Sequence, residues 1–183
     1  MNLIILGSPG SGKGTQAKLL AQHFGLTHIS SGQLLRAEAQ KPTPQGQKIK
    51  QTLDSGDLVP FDMVLQVIQD KLNSPNGFIL DGTPRDLDQA KSLDLLLTKR
   101  GLSVDNVILL ELSDDDSLTR LLKRAQTEKR SDDNATTIQE RLHVYHFDTE
   151  PVIAHYESQN KLLRSDGRPD INTIFQDILT HIG

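Results

Sequence analysis

The stretch that most constrains this chain is Gly7-Ser8-Pro9-Gly10-Ser11-Gly12-Lys13-Gly14-Thr15, set between the apolar run Leu3-Ile4-Ile5-Leu6 and a helical pattern beginning at Lys13. Glycines in that density let successive backbone N–H groups turn inward around an anion. A helix N-terminus behind them adds a favourable dipole. Lys13 supplies a point charge with the reach for the outer phosphates of a nucleotide. A plain glycine turn between strand and helix is the alternative, but it explains neither the lysine nor the strand–loop–helix setting. Gly10, Ser11, Gly12, Lys13, Gly14 and Thr15 are therefore candidate donor-nucleotide contacts. The hydroxyl usual directly after the lysine comes one residue late, at Thr15, which becomes a candidate ligand for a phosphate-bound cation.

The rest of the chain repeats the alternation of strand and helix. Apolar runs at 27–30, 78–81 and 107–110 predict further strands, and Leu162-Leu163 is a weaker fifth. Helical spacing predicts helices over 13–24, 31–40, 45–55, 60–73, 86–100, 114–125, 134–146, 150–159 and 171–182. Pro60 and Pro151 suit first turns, and Gly25 and Gly101 suit stops. The expected fold is α/β, a five-stranded parallel sheet of the P-loop NTPase type flanked by helices with right-handed crossovers. Residues of about 30–59 carry only helical signals between two strands, so they predict a small helical excursion from the core. Lys41-Pro42-Thr43-Pro44 is its internal turn.

At 183 residues the chain fits a single domain. Its 20 Lys and Arg against 24 Asp and Glu leave a net charge of −4, which argues against a nucleic-acid partner. With no cysteine, disulfides and thiolate metal sites are excluded. No apolar run approaches the ~20 residues of a membrane span. The start of the chain leads straight into strand-like residues. The expectation is a soluble, cytoplasmic protein with no membrane partner.

Net charge hides placement. Transfer between two phosphate chains needs little covalent work from a protein and no general base, but it demands several rigid cations, for which Arg is suited. Nine arginines are available. Arg120 and Arg124, four apart, share one face of the 114–125 helix, and Arg130 follows in a short loop. Arg141 falls among Ile138, Leu142 and Tyr145 on a packed stripe, where a charge needs a partner or a ligand. An ion pair with Asp132, Asp133 or Glu140 is the alternative. Arg100 and Arg164 suit the surface. Asp81 ends an apolar strand, the setting of a carboxylate on a Mg²⁺–water cluster; capping of the following helix is its other reading. The six histidines form no metal set, and His143 and His146 suit the surface.

GSPGSGKGTQA at 7–17, His28-Ile-Ser-Ser-Gly-Gln-Leu-Leu-Arg36 and Asp81-Gly-Thr-Pro-Arg85 resemble the three motifs of the adenylate kinases, and the likeness runs from Leu3 to about Ile182. The resemblance implies ATP:AMP phosphotransfer with Mg²⁺, small-molecule partners ATP, AMP and ADP, and a monomer. By the same match Arg120 and Arg124 grip ATP, Arg130 and Arg141 brace the transferring phosphoryl, and Arg36 and Arg85 hold the acceptor phosphate. Lys13, Arg85, Arg124, Arg130 and Arg141 are then the catalytic set. Arg168 stands where the family packs a residue on the ATP adenine. Ser31, Asp57, Leu58, Val59, Gly82, Thr83, Pro84 and Gln89 complete the implied AMP site. Gln89 matches the glutamine that reads adenine, although an exposed helix residue is its other reading. Only about 125–131 separates the paired arginines from Asp132-Asp133, which resembles the short-lid form without a zinc-bearing insertion. Excursion and lid are expected to close over substrates and exclude water. Gln33 and Thr83 depart from the family pattern, where an acidic and an aromatic residue are usual. Two other functions remain open: a UMP/CMP kinase, and a non-catalytic P-loop regulator.

Overall fold

The computed structural model describes residues 1–128 and 134–182. Five strands, β1 (Asn2–Gly7), β2 (Thr27–Ser30), β3 (Phe78–Asp81), β4 (Asn106–Glu111) and β5 (Leu162–Asp166), form one sheet ordered β2-β3-β1-β4-β5. All four pairings are parallel. Every β1 residue is buried, because helices cover both faces. On one face Leu3, Ile5 and Leu110 pack with Ala17 and Leu20 of α1 (Lys13–Phe24) and Ile174 and Ile178 of α9 (Ile171–Ile182). On the other, Ile4, Leu6 and Leu109 meet Leu93 and Leu97 of α5 (Leu87–Lys99) and Val152 and Tyr156 of α8 (Glu150–Glu157). Burying each such side chain contributes about 1.5–3 kcal/mol before entropy is counted.

The chain leaves β1 toward β2 but leaves β3 toward β4, in opposite directions along the sheet. A crevice opens at such a switch point, outside the carboxyl ends of the strands. Ile5 pairs with Asp81 there, so the glycine loop after β1 and the end of β3 are neighbours.

The excursion is α2 (Ser31–Ala39) and α3 (Pro44–Ser55), followed by α4 (Phe61–Ile68). Thr43 caps α3, its hydroxyl accepting the Gly46 N–H at 3.0 Å with Pro44 in the first turn. The helix expected over 60–73 tightens into a 3-10 turn at Gln69–Asn73.

Two expectations need correction. Helix α6 (Asp114–Glu128) does not stop at 125. Ala125 and Gln126 are good helix formers, and the Thr127 hydroxyl back-bonds to the Arg124 carbonyl at 3.0 Å. The part of the expected 125–131 lid that is described is therefore helix, and residues 129–131 lie outside the described residues. The helices expected at 134–146 and 150–159 are one run. It comprises α7 (Ala135–Val144), a π turn at Tyr145–Thr149, and α8. Pro151 has no N–H for the carbonyl four residues back, and the turn before it widens, with Glu150 N–H donating to Tyr145 O.

Candidate functional site

A cleft of ≈430 Å³ lies at the carboxyl edge of β1 and β3. Its floor is the glycine loop. Gly12 sits at φ 96°, a left-handed conformation that favours glycine. A side chain at Gly10 would come within 3.0 Å of the Ser117 carbonyl on α6. The Ser8 and Ser117 hydroxyls, 2.9 Å apart, fasten the same helix to the loop. Lys13 Nζ donates to the Gly7 and Ser8 carbonyls, both at 2.7 Å. Burial draws its ammonium down to about 7; Asp81 opposes that, while Arg85, Arg141 and Arg124 add to it. Gly14 has a spatial reason. A Cβ there would lie 3.3 Å from Asp81 Oδ2, a tight approach that glycine avoids.

Burial pushes the Asp81 carboxyl up, but the His28 ring and Lys13 ammonium outweigh it and hold it below the usual carboxylate range. His28 Nε2 stands 3.5 Å from Asp81 Oδ2. An ionised carboxylate beside the exposed Thr15 and the phosphate loop fits Mg²⁺, which takes one or two carboxylates and fills its shell with water and phosphate oxygens. Among the described residues no three His, Asp or Glu gather to hold a metal ion by themselves. The capping role falls elsewhere: Asp86, not Asp81, accepts the Gln89 N–H at the start of α5, at 2.8 Å.

Arg36, Arg85, Arg120, Arg124 and Arg141 all line this cleft with Lys13 and Lys18; among the described residues its lining carboxylates are Asp57 and Asp81. Arg85 Nε donates to the Gly82 carbonyl at 2.8 Å. Gly82, Pro84 and Leu58 line the cleft too. Arg168 does not. Its guanidinium is gripped by Asp166, with Nη2 2.7 Å from Oδ2, and its side chain is 72% exposed. A carboxylate two residues back captures it, while its carbonyl accepts from Arg120 Nη2 at 3.1 Å. Arg130 lies outside the described residues, as do Asp132 and Asp133. Arg164 bridges Glu111 and Glu157 on the surface.

Gln89 is 4% exposed, which excludes the exposed-helix reading. Its Oε1 accepts the Arg85 N–H at 3.0 Å and faces the Thr83 hydroxyl at 3.5 Å. A recess of ≈20 Å³ beside it is lined by Leu35, Leu58, Val59 and Val64. That is room for about one water, so a purine enters only if the recess opens. Ser31 is buried, its hydroxyl donating to the Asp81 carbonyl at 3.2 Å. Among the cleft residues that escaped the sequence reading of the site are Lys18, Tyr145 and Thr149. Lys18 was legible as one helical turn beyond Gly14. Tyr145, whose hydroxyl burial and Glu150 push up to about 12, read only as packing.

Comparison with known proteins agrees with this geometry. The family model described as adenylate kinase matches residues 5–161. Among curated relatives, the adenylate kinase of Xanthomonas campestris pv. campestris is 42% identical over 186 residues, covering 100% of both chains. That of Thermus thermophilus is 40% identical over 181 residues, 99% of this chain and 96% of the relative. That of Phocaeicola vulgatus is 39% identical over 185 residues, 100% of this chain and 98% of the relative. Glycine loop, parallel sheet and full-length likeness lead to one conclusion: the chain belongs to the adenylate kinase family.

Proposed function

We propose that the cleft catalyses reversible phosphoryl transfer from ATP to AMP, giving two ADP. The observation that carries this reading is the convergence of five arginines and Lys13 on one cleft, beside a recess containing a buried glutamine. The glycine loop and Lys13 cradle the donor phosphates, and Arg120 and Arg124 grip them from α6. Arg36 and Arg85 hold the acceptor phosphate, whose oxygen is ionised near neutral pH and needs no base. Arg141, joined by Arg130 from the lid, neutralises charge on the phosphoryl in flight. Asp81 and Thr15 would hold Mg²⁺, which would add neutralisation of the phosphate oxygens. Gln89, with Ser31 and the 57–59 and 82–84 segments, forms the AMP side. The carbonyl of Arg168, tied to Arg120, supports a donor-base site on that loop. The excursion at 30–59 and the lid close over the nucleotides and exclude water, which protects ATP from hydrolysis. We read the protein as a monomer acting in the cytoplasm, as the family resemblance implies.

An acceptor panel tests this. With Mg²⁺ and ATP fixed, AMP yields ADP fastest among AMP, GMP, CMP and UMP. Acceptance of only CMP and UMP replaces the reading with a pyrimidine kinase. A dinucleoside polyphosphate that fills both sites binds far more tightly than ATP if the protein transfers. Equal affinity favours a nucleotide-binding regulator.

A further inference from the structure

We infer that Thr149, at the end of the π turn, is a positioning residue that fixes Arg85 for the acceptor phosphate. The inference rests on the reading of Arg85 as an acceptor-phosphate cation. Arg85 lies between β3 and α5, where neither sheet nor helix claims its backbone. Peptide groups so placed need other partners. Side chains supply them from two directions: Gln89 Oε1 accepts the Arg85 N–H at 3.0 Å, and Thr149 Oγ1 donates to the Arg85 carbonyl at 2.7 Å. Thr149 is 6% exposed, so its hydroxyl is held away from bulk water. The Arg85 Nε to Gly82 bond then sets the side chain from the fixed backbone.

The π turn makes this possible. In an unbroken α-helix, eight residues carry Thr149 about 80° around the axis from Arg141. One extra residue in a widened turn takes back about 100°, leaving the two roughly 20° apart. Both line the same cleft. One helical run thus carries the Arg141 guanidinium and the fastener of the Arg85 guanidinium, so the two cations are spaced by a single rigid element.

The test compares Thr149→Val, which keeps shape and loses the hydroxyl, with Thr149→Ser, which keeps it, and with Arg85→Ala as control. Thr149→Val is expected to lower kcat/KM for AMP about tenfold while leaving the ATP dissociation constant unchanged. Thr149→Ser is expected to restore most of that loss, and Arg85→Ala to cost at least as much as Thr149→Val. Where Thr149→Val does not fold, Thr149→Ala takes its place. Wild-type kcat/KM for AMP in the hydroxyl-free variant overturns the inference, as does equal loss with serine, or equal weakening of ATP. If Arg85→Ala itself leaves AMP use intact, the reading of Arg85 has failed, and the inference falls with it.

Discussion

The two sides of the cleft are built differently. The donor side is fixed: β1 is wholly buried, the glycine loop is pinned to α6 through Ser8 and Ser117, and Lys13 already has two carbonyl partners. The side we propose for the acceptor is more sparsely packed. In the 21 residues of α2 and α3 only Ser31, Gly32, Leu35, Gly46 and Ile49 are buried, and the recess beside Gln89 holds about one water. Elements with few buried contacts open at low free-energy cost. On the proposed function, a pre-formed donor site with an adaptable acceptor site would let the second nucleotide complete the enclosure, shielding the reacting phosphoryl only when an acceptor is present.

The largest effect expected is on the fixed side. Lys13→Met should lower kcat by about 100- to 1,000-fold or more while circular dichroism and thermal unfolding stay close to wild type. Near-normal turnover would break the comparison at its rigid end. On the adaptable side, Gln89→Leu removes the acceptor of the Arg85 N–H and the amide beside the recess. An AMP KM raised about tenfold with an unchanged ATP KM sharpens the division between the two sides. Equal changes in both would dissolve it.

Lys13 also gives the donor side a pH signature. Its folded value near 7 lies below the ordinary 10.5, so between those values the unfolded chain holds more protons and this group's contribution to stability rises with pH. Bound phosphates favour the ammonium. ATP binding at pH 8 should therefore take up a fraction of a proton, up to about one, read by calorimetry in buffers of different ionisation enthalpy. The Lys13→Met variant should show none.

The smallest effect belongs to neither side. His146, exposed, joins Glu150 at 2.6 Å and Asp114 at 2.9 Å, and those carboxylates raise its pKa, Glu150 first. Its stabilisation is fully present below the ordinary 6.5 and is lost as pH rises through the raised folded value. His146→Gln should cost a few tenths of a kcal/mol, about the usual worth of an exposed pair, at pH 5.5 and nothing measurable at pH 9. Activity should be unchanged.

What was legible in the sequence follows the same division. Strand runs, helix periods and the glycine loop are local patterns, and the five strands stand within a few residues of where the apolar runs put them. Arg120, Arg124 and Arg141 stood out by helical spacing, Arg36 and Arg85 only by their match to the family motifs, and all five line one cleft. The features missed are settled by partners distant in sequence or by a single local competitor. Thr149 gains its meaning from Arg85, 64 residues away. Arg168 is diverted by Asp166. The π turn answers to Pro151 rather than to any periodicity. Gln89 was assigned to the AMP site only through the family match, because nothing local reveals that it lies beside Leu35, Val59 and Val64.

The most direct test of the contrast is amide hydrogen exchange, residue by residue, in the free protein and with a dinucleoside polyphosphate spanning both sites. The contrast predicts that amides of β1 exchange slowly in both states, while those of α2 and α3 go from fast exchange in the free protein to protected on binding. A β1 that exchanges as fast as the excursion, or an excursion already protected in the free protein, would contradict it.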